Sequence, residues 1–158
     1  MKKTIALCLT ILCCFTALIF PASATDVNVT TGEVLVSSSR TELPDGGYII
    51  ETVKKIESPA AARTTYSTSG TKTTVRYTAS GIAVYGVEVY GTFNYTGSSS
   101  RAITSAATVY TYHQNASFVS KSASRSGATA YATGTVKYLT VTESRTAALS
   151  CDKNGNLS

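Results

Sequence analysis

Few residues in this 158-residue chain have side chains suited to catalysis. His113 is the only histidine, and beyond the N-terminal apolar run the only cysteine is Cys151. A nucleophile needs a base within hydrogen-bond reach, and the base needs a group that orients it. Because no acidic residue lies near His113 in the sequence, we interpret His113 as a solvated residue at a strand end. Cys151 is interpreted as a free thiol, with an intermolecular disulfide as the alternative, since no second cysteine remains to pair with it inside the exported chain.

Two carboxylates are the other arrangement with catalytic potential, because a pair of them can hydrolyse glycosides as acid and base. Beyond residue 57 the acidic residues are Glu88, Glu143 and Asp152. Glu88 lies on the polar face of its predicted strand, and Glu143 is flanked by hydroxyl-bearing residues. Both are typical of solvent-facing positions. A glycoside hydrolase that uses Glu88 and Glu143 therefore stays as the less favoured alternative to a non-enzymatic protein.

The C-terminal residues 152–156 resemble the first half of a calcium loop, with oxygen-bearing side chains at its first, third and fifth positions. Leu157 stands where that loop requires glycine, so we interpret this stretch as a polar turn. A metal site of histidine and cysteine would need more than the one of each that remains. The sequence therefore predicts neither a metal nor a cofactor.

Tyrosine is the residue type in this chain best suited to ligand contact, with ten tyrosines and no tryptophan. A tyrosine ring can stack on a sugar or a peptide while its hydroxyl stays hydrated. Tyr90 and Tyr131 are each out of phase with the apolar residues of their predicted strands, so we expect both on polar faces. If the two are adjacent they form a binding platform. The alternative is ordinary cross-strand packing.

Charge is distributed unevenly along the chain. Residues 25–57 carry six acidic and three basic residues, whereas residues 58–158 carry three acidic and nine basic residues. The basic residues occur singly, which is typical of a solvated surface, although an anionic cell-wall polymer or a membrane surface would suit such a balance. No nucleic-acid-binding motif is present.

The N-terminus has the pattern of a secretory signal peptide. Lys2 and Lys3 precede an uncharged apolar run over residues 5–20, and Pro21 and the small residues 22–24 follow it. The run is shorter than the roughly 20 residues that span a bilayer. We therefore predict cleavage after Ala24 and a secreted chain with no later membrane span. An uncleaved anchor is the alternative.

Alternation of apolar and polar residues with a period of two predicts an all-β protein, with no helical period beyond the signal. The predicted strands are 48–56, 72–79, 82–95, 101–113, 116–123, 128–138 and 141–150, with turn signals at 43–47, 79–81, 94–100 and 124–127. A change of phase after Leu139 predicts a β-bulge or a bend. This pattern favours an antiparallel β-sandwich, immunoglobulin-like or related.

The predicted organisation has four parts. They are a signal peptide (1–24), an N-terminal segment with a turn and one strand (25–57), a linker (58–63) and the β-sandwich domain (64–158). Residues 46–57 are expected to add a strand to the sandwich or to lie across it. Residues 25–42 are expected to be flexible.

Four stretches carry a resemblance to a group of small uncharacterised secreted proteins of Gram-positive bacteria: 45–49, 91–99, 122–127 and 149–158. The resemblance implies a shared secreted β-fold. It transfers no catalytic residue, because the group has no assigned activity. The sequence thus favours a non-enzymatic extracellular binding or surface-interaction module, with a secreted toxin or antimicrobial protein as the alternative.

Overall fold

The computed structural model describes residues 32–57 and 66–158, which form eight β-strands and no helix. The strands are β1 (Gly32–Glu42), β2 (Tyr48–Glu57), β3 (Tyr66–Tyr77), β4 (Ala83–Tyr95), β5 (Ser100–Thr111), β6 (Ala116–Ser126), β7 (Thr129–Tyr138) and β8 (Val141–Ser150). The predicted signal peptide, residues 25–31 and the predicted linker lie outside the described residues. Within the described ranges, no helix has the length and apolar character needed to cross a membrane.

The strands form two antiparallel sheets, which confirms the all-β prediction. One sheet has the order β1-β2-β3-β4-β5 and the other the order β6-β7-β8, so each strand pairs with its neighbours in the chain. This sequential order differs from the Greek-key connections of immunoglobulin domains. Residues 48–57 add a strand to the larger sheet, since Ile56 of β2 pairs with Ser69 of β3.

One prediction is wrong: residues 32–42 are not flexible, and the N-terminal segment contains two strands. Residues 32–42 form β1, which pairs antiparallel with β2 from Gly32 opposite Glu57 to Glu42 opposite Tyr48. The sequence shows no alternation here because β1 is exposed on both faces apart from its first residue. Backbone hydrogen bonds to β2, rather than burial of one face, define this strand.

The change of phase after Leu139 has a different cause from a bulge. Tyr138 pairs with Val141, so Leu139 and Thr140 form a two-residue turn between β7 and β8. Leu139 has φ of 55°, in the left-handed region that glycine normally occupies. The sequence located the bend correctly, and the structure shows it to be a hairpin turn.

The inner faces of the two sheets contribute to one hydrophobic core. Fully buried members from the larger sheet are Val84, Val87, Val89 and Phe93, and those from the smaller sheet are Ala130, Ala132, Val136, Ala147 and Leu149. The sheets pack closely at Gly134. A Cβ on Gly134 would lie 2.6 Å from Cγ2 of Val109 and 2.7 Å from Cγ2 of Val87. The residues on the opposite face of each strand are therefore available to solvent.

Candidate functional site

Four tyrosines lie together on the outer face of the five-stranded sheet, and we call them the tyrosine band: Tyr48, Tyr77, Tyr110 and Tyr112. Tyr48 and Tyr77 are opposite each other on β2 and β3, and their rings stack with centroids 4.9 Å apart. Tyr110 and Tyr112 stack with centroids 6.0 Å apart at the end of β5. On β1, Cζ of Arg40 lies 3.6 Å from the centroid of Tyr48. Aromatic and guanidinium groups therefore cross one end of the sheet.

A glycine in β4 makes the band continuous. Gly86 faces outward, because its neighbours Tyr85 and Val87 are buried in the core. A Cβ on Gly86 would lie 3.3 Å from both Cε2 and Oη of Tyr112. With no side chain at this position, Tyr112 lies over β4 on the side of Tyr77. Burial and the neighbouring Tyr77 and Glu88 raise the pKa of the Tyr112 phenol.

Glu88 borders the band and is held by hydrogen bonds on the same face. The hydroxyl of Tyr110 donates to Oε1 of Glu88 at 3.1 Å, and the hydroxyl of Thr73 donates to Oε2 at 2.9 Å. Burial and Glu88 raise the pKa of Tyr110, so Tyr110 stays a neutral donor. Glu88 thus positions Tyr110 as part of the band.

Tyr90 and Tyr131 do not form the predicted shared platform. Tyr90 lies on the outer face of β4 with 37% of its surface exposed, as predicted. Tyr131 lies on the outer face of β7, since its neighbours Ala130 and Ala132 are in the core. The two rings therefore face away from the core on opposite sheets. The condition for a shared platform, that the two tyrosines be adjacent, is not met because their strands belong to different sheets.

The structure also separates the residues considered for catalysis, Glu88 from Glu143 and His113 from Cys151. Glu88 lies on the outer face of β4, whereas Glu143 of β8 accepts a hydrogen bond from the hydroxyl of Tyr85 at 2.8 Å. His113 follows the end of β5, whereas Ser100, at the start of that strand, donates to the carbonyl of Cys151. At about 3.3 Å per residue, the two ends of β5 are more than about 30 Å apart.

Cys151 and the C-terminal turn have structural roles. Cys151 is buried and has no disulfide partner in the described part of the chain. Burial, and then Asp152, raises the pKa of its thiol. The side-chain amide of Asn156 donates to Oδ2 of Asp152, and the backbone N–H groups of Asn156 and Asn154 donate to Oδ1; these hydrogen bonds lower the pKa of Asp152. Its carboxylate therefore stabilises the turn that resembles a calcium loop.

A polar cluster that sequence reasoning missed lies where the two sheets meet, and we call it the inter-sheet clasp: Asp45, Arg76, Tyr85, Glu143 and Arg145. Arg76 is buried; its Nη2 donates to Asp45, and its Nε lies 3.5 Å from Oε2 of Glu143. Nε of Arg145 donates to the hydroxyl of Tyr85 at 3.2 Å. Burial raises the pKa of Tyr85 to about 12, so Tyr85 is a neutral phenol.

The clasp borders an open groove of about 480 Å³, which is lined by Leu43, Pro44, Asp45, Arg76, Glu143, Ser144 and Arg145. The two arginines and two carboxylates in this lining balance in formal charge. The side chains come from both sheets and from the turn after β1, so their main effect is to connect these elements. No local sequence signal indicates the cluster, because its members are separated along the chain.

No family model, curated protein or solved structure matches this chain. The resemblance to secreted proteins of Gram-positive bacteria therefore stays a prediction. Among the surfaces of the described part of the chain, the tyrosine band is the most distinctive.

Proposed function

We propose that this chain is a non-enzymatic extracellular binding module whose tyrosine band contacts a hydroxyl-rich polysaccharide at the cell surface. The observation that carries this proposal is that two stacked pairs of tyrosines, Tyr48 with Tyr77 and Tyr110 with Tyr112, lie on the solvent-facing side of one sheet. Tyr112 is 51% exposed and Tyr110 is 36% exposed, so both side chains present surface to a ligand. Aromatic side chains with polar tips are well suited to such contacts.

The stacking within the band determines what it offers a ligand. One face of the Tyr48 ring is against Arg40 and the other is against Tyr77. The ligand is therefore expected to contact ring edges and phenol hydroxyls rather than free ring faces. Because the rings are already ordered by stacking, little side-chain entropy is lost on binding. Hydroxyl groups of a sugar polymer match these donors and acceptors.

Charge at the band favours a neutral polysaccharide over a strongly anionic polymer. Arg40 at one end is paired with Glu42, and Glu88 lies beside the other end. With both signs present, retention on a polysaccharide should depend weakly on salt. Strong salt dependence would instead indicate an anionic wall polymer as the ligand.

The proposal includes two finer statements about the chain. The two sheets form an antiparallel β-sandwich, which is supported by their shared core. The chain is exported after cleavage of residues 1–24, which is supported by the signal pattern at the N-terminus. Mass spectrometry of protein recovered from the culture medium tests the export, with Thr25 expected as the first residue.

Retention on purified cell-wall polysaccharide tests the proposed function. Tyr112→Ala and Tyr110→Ala should each weaken retention by about tenfold, the size expected for a central contact residue. Tyr66→Ala is the matched control, because Tyr66 is 61% exposed and stacks on Tyr95, away from the band. Equal retention of the wild-type chain and both band variants would refute a role for the band.

A further inference from the structure

β1 is an edge strand with exposed apolar side chains. Within the described ranges β1 pairs only with β2, so the backbone groups along its other edge have no strand partner. Three consecutive residues, Val34, Leu35 and Val36, are 45%, 61% and 44% exposed. A long edge strand with exposed apolar residues is a template for pairing with another strand.

The edges of the smaller sheet carry a protection that β1 lacks. Inward-pointing charged residues discourage strand addition. On β6, Lys121 and Arg125 lie opposite the core positions Gly134 and Ala130, and on β8 Arg145 also lies opposite Gly134. The corresponding positions of β1 hold uncharged residues: Val34, Ser37, Ser39 and Thr41, opposite Lys55, Val53, Glu51 and Ile49.

We propose that β1 pairs antiparallel with β1 of a second copy of this chain, with Glu33 of each copy opposite Arg40 of the other. A register shift between Leu35 and Ser37 places Glu33 and Arg40 on the same, outer face of the sheet. Residues that are directly opposite in an antiparallel pair share a face. The same register places Leu35 opposite Ser38, which also share the outer face.

In this register the charges of two identical β1 strands are complementary. The partner strand is therefore that of a second copy of this chain. The side chain of Arg40 is 55% exposed and forms an ion pair with Glu42. The side chain of Glu33 is 50% exposed and forms an ion pair with Lys54. A shift of the pairing by two residues would instead place Glu33 opposite Glu42. Like charges directly opposite each other are destabilising. The charges thus favour one register of self-pairing.

This pairing has a consequence for the proposed function. Antiparallel pairing of identical strands has its two-fold axis perpendicular to the sheet, so both outer faces point the same way. The two tyrosine bands would then contact one surface together and gain avidity. The dimer itself does not depend on the proposed function; only this gain in avidity rests on it.

Analytical ultracentrifugation of the full chain, in the form that the producing cell exports, tests the pairing. We expect the mass of two chains. Arg40→Glu or Glu33→Arg alone should raise the dimer dissociation constant by roughly tenfold or more, and the double charge swap should restore it. Phe118→Lys is the matched control, because Phe118 is 53% exposed on the edge strand β6.

Three outcomes would overturn the inference. They are a single-chain mass at the highest soluble concentration, larger open assemblies, and a double swap that leaves the dimer as weak as the single variants. Circular dichroism of each variant shows whether the fold is kept. A wild-type chain that sediments as a single chain and is still retained on the polysaccharide would refute the pairing and leave the proposed function intact.

Discussion

Tyr112 lies over Gly86, with Cε2 and Oη of the tyrosine 3.3 Å from the point where a β-carbon on the glycine would be. This contact brings the end of β5 across β4 towards Tyr77. A backbone position with no side chain therefore determines whether the tyrosines form one surface.

Gly86→Val should displace Tyr112 and weaken retention on polysaccharide as much as Tyr112→Ala does. The free energy of unfolding should change little, because the preference of valine for strand conformation offsets the loss of the contact between Tyr112 and residue 86. Near-ultraviolet circular dichroism would report the moved ring. Thr104→Val, on the outer face of β5 away from the band, is the control and should keep full retention.

Gly134→Ala should lower the free energy of unfolding by about 1–3 kcal/mol, because an added methyl group overpacks the core. Its β-carbon would be 2.6 Å from Cγ2 of Val109 on the other sheet. Val109→Ala removes one of the two obstructing side chains and leaves Val87, so the double variant should be more stable than the sum of the two single effects predicts. Denaturant unfolding measures this coupling, and strict additivity would contradict close packing of the sheets here.

Arg76→Lys should destabilise the fold by about 2 kcal/mol, because lysine lacks the planar donor geometry that reaches two carboxylates. Arg76 contacts Asp45 and Glu143 at once. The loss should be smaller in a Glu143→Gln background, since one partner is then already neutral. Arg101→Lys, at an exposed position, is the control. Equal melting temperatures for the wild-type chain and Arg76→Lys would show that the clasp contributes nothing.

Stability should fall between pH 10 and about pH 12 through Tyr85. Burial raises the folded pKa of Tyr85 from 10.0 to about 12, so in this window the unfolded chain has released a proton that the folded chain still holds. One such proton lowers stability by at most about 1.4 kcal/mol per pH unit. Denaturant unfolding at several alkaline pH values should show a shallower decline for Tyr85→Phe. If the slope of stability against pH is the same in Tyr85→Phe, other ionisable groups cause the loss of stability at alkaline pH.

Leu139→Gly should stabilise the chain by up to about 1 kcal/mol, because glycine adopts the left-handed conformation of this turn without strain. Leu139 has φ of 55° and is 58% exposed, so little packing is lost. Val141→Gly is the matched control, since Val141 is equally exposed but lies in β8, where glycine should destabilise. A lower melting temperature for Leu139→Gly would contradict the strain argument.

The local alternation of side chains was sufficient to locate most strands. The predicted strand 128–138 corresponds to β7, and the predicted strand 141–150 coincides with β8. Turn signals such as the one ending at Gly127 also hold, with φ of 54° at that glycine. β1 escaped detection because both of its faces are exposed, and a strand without a buried face has no apolar period.

By itself, the sequence located most of the extended segments and placed Tyr90 and Tyr131 on the outer faces of β4 and β7. Only the tertiary structure decided that these two tyrosines belong to different sheets, that Tyr48, Tyr77, Tyr110 and Tyr112 meet, and that Arg76 reaches Glu143. The physical reason is the range of the interactions. Alternation follows from the two-residue repeat of a single strand, whereas these contacts depend on which distant strands pair and on how the two sheets pack.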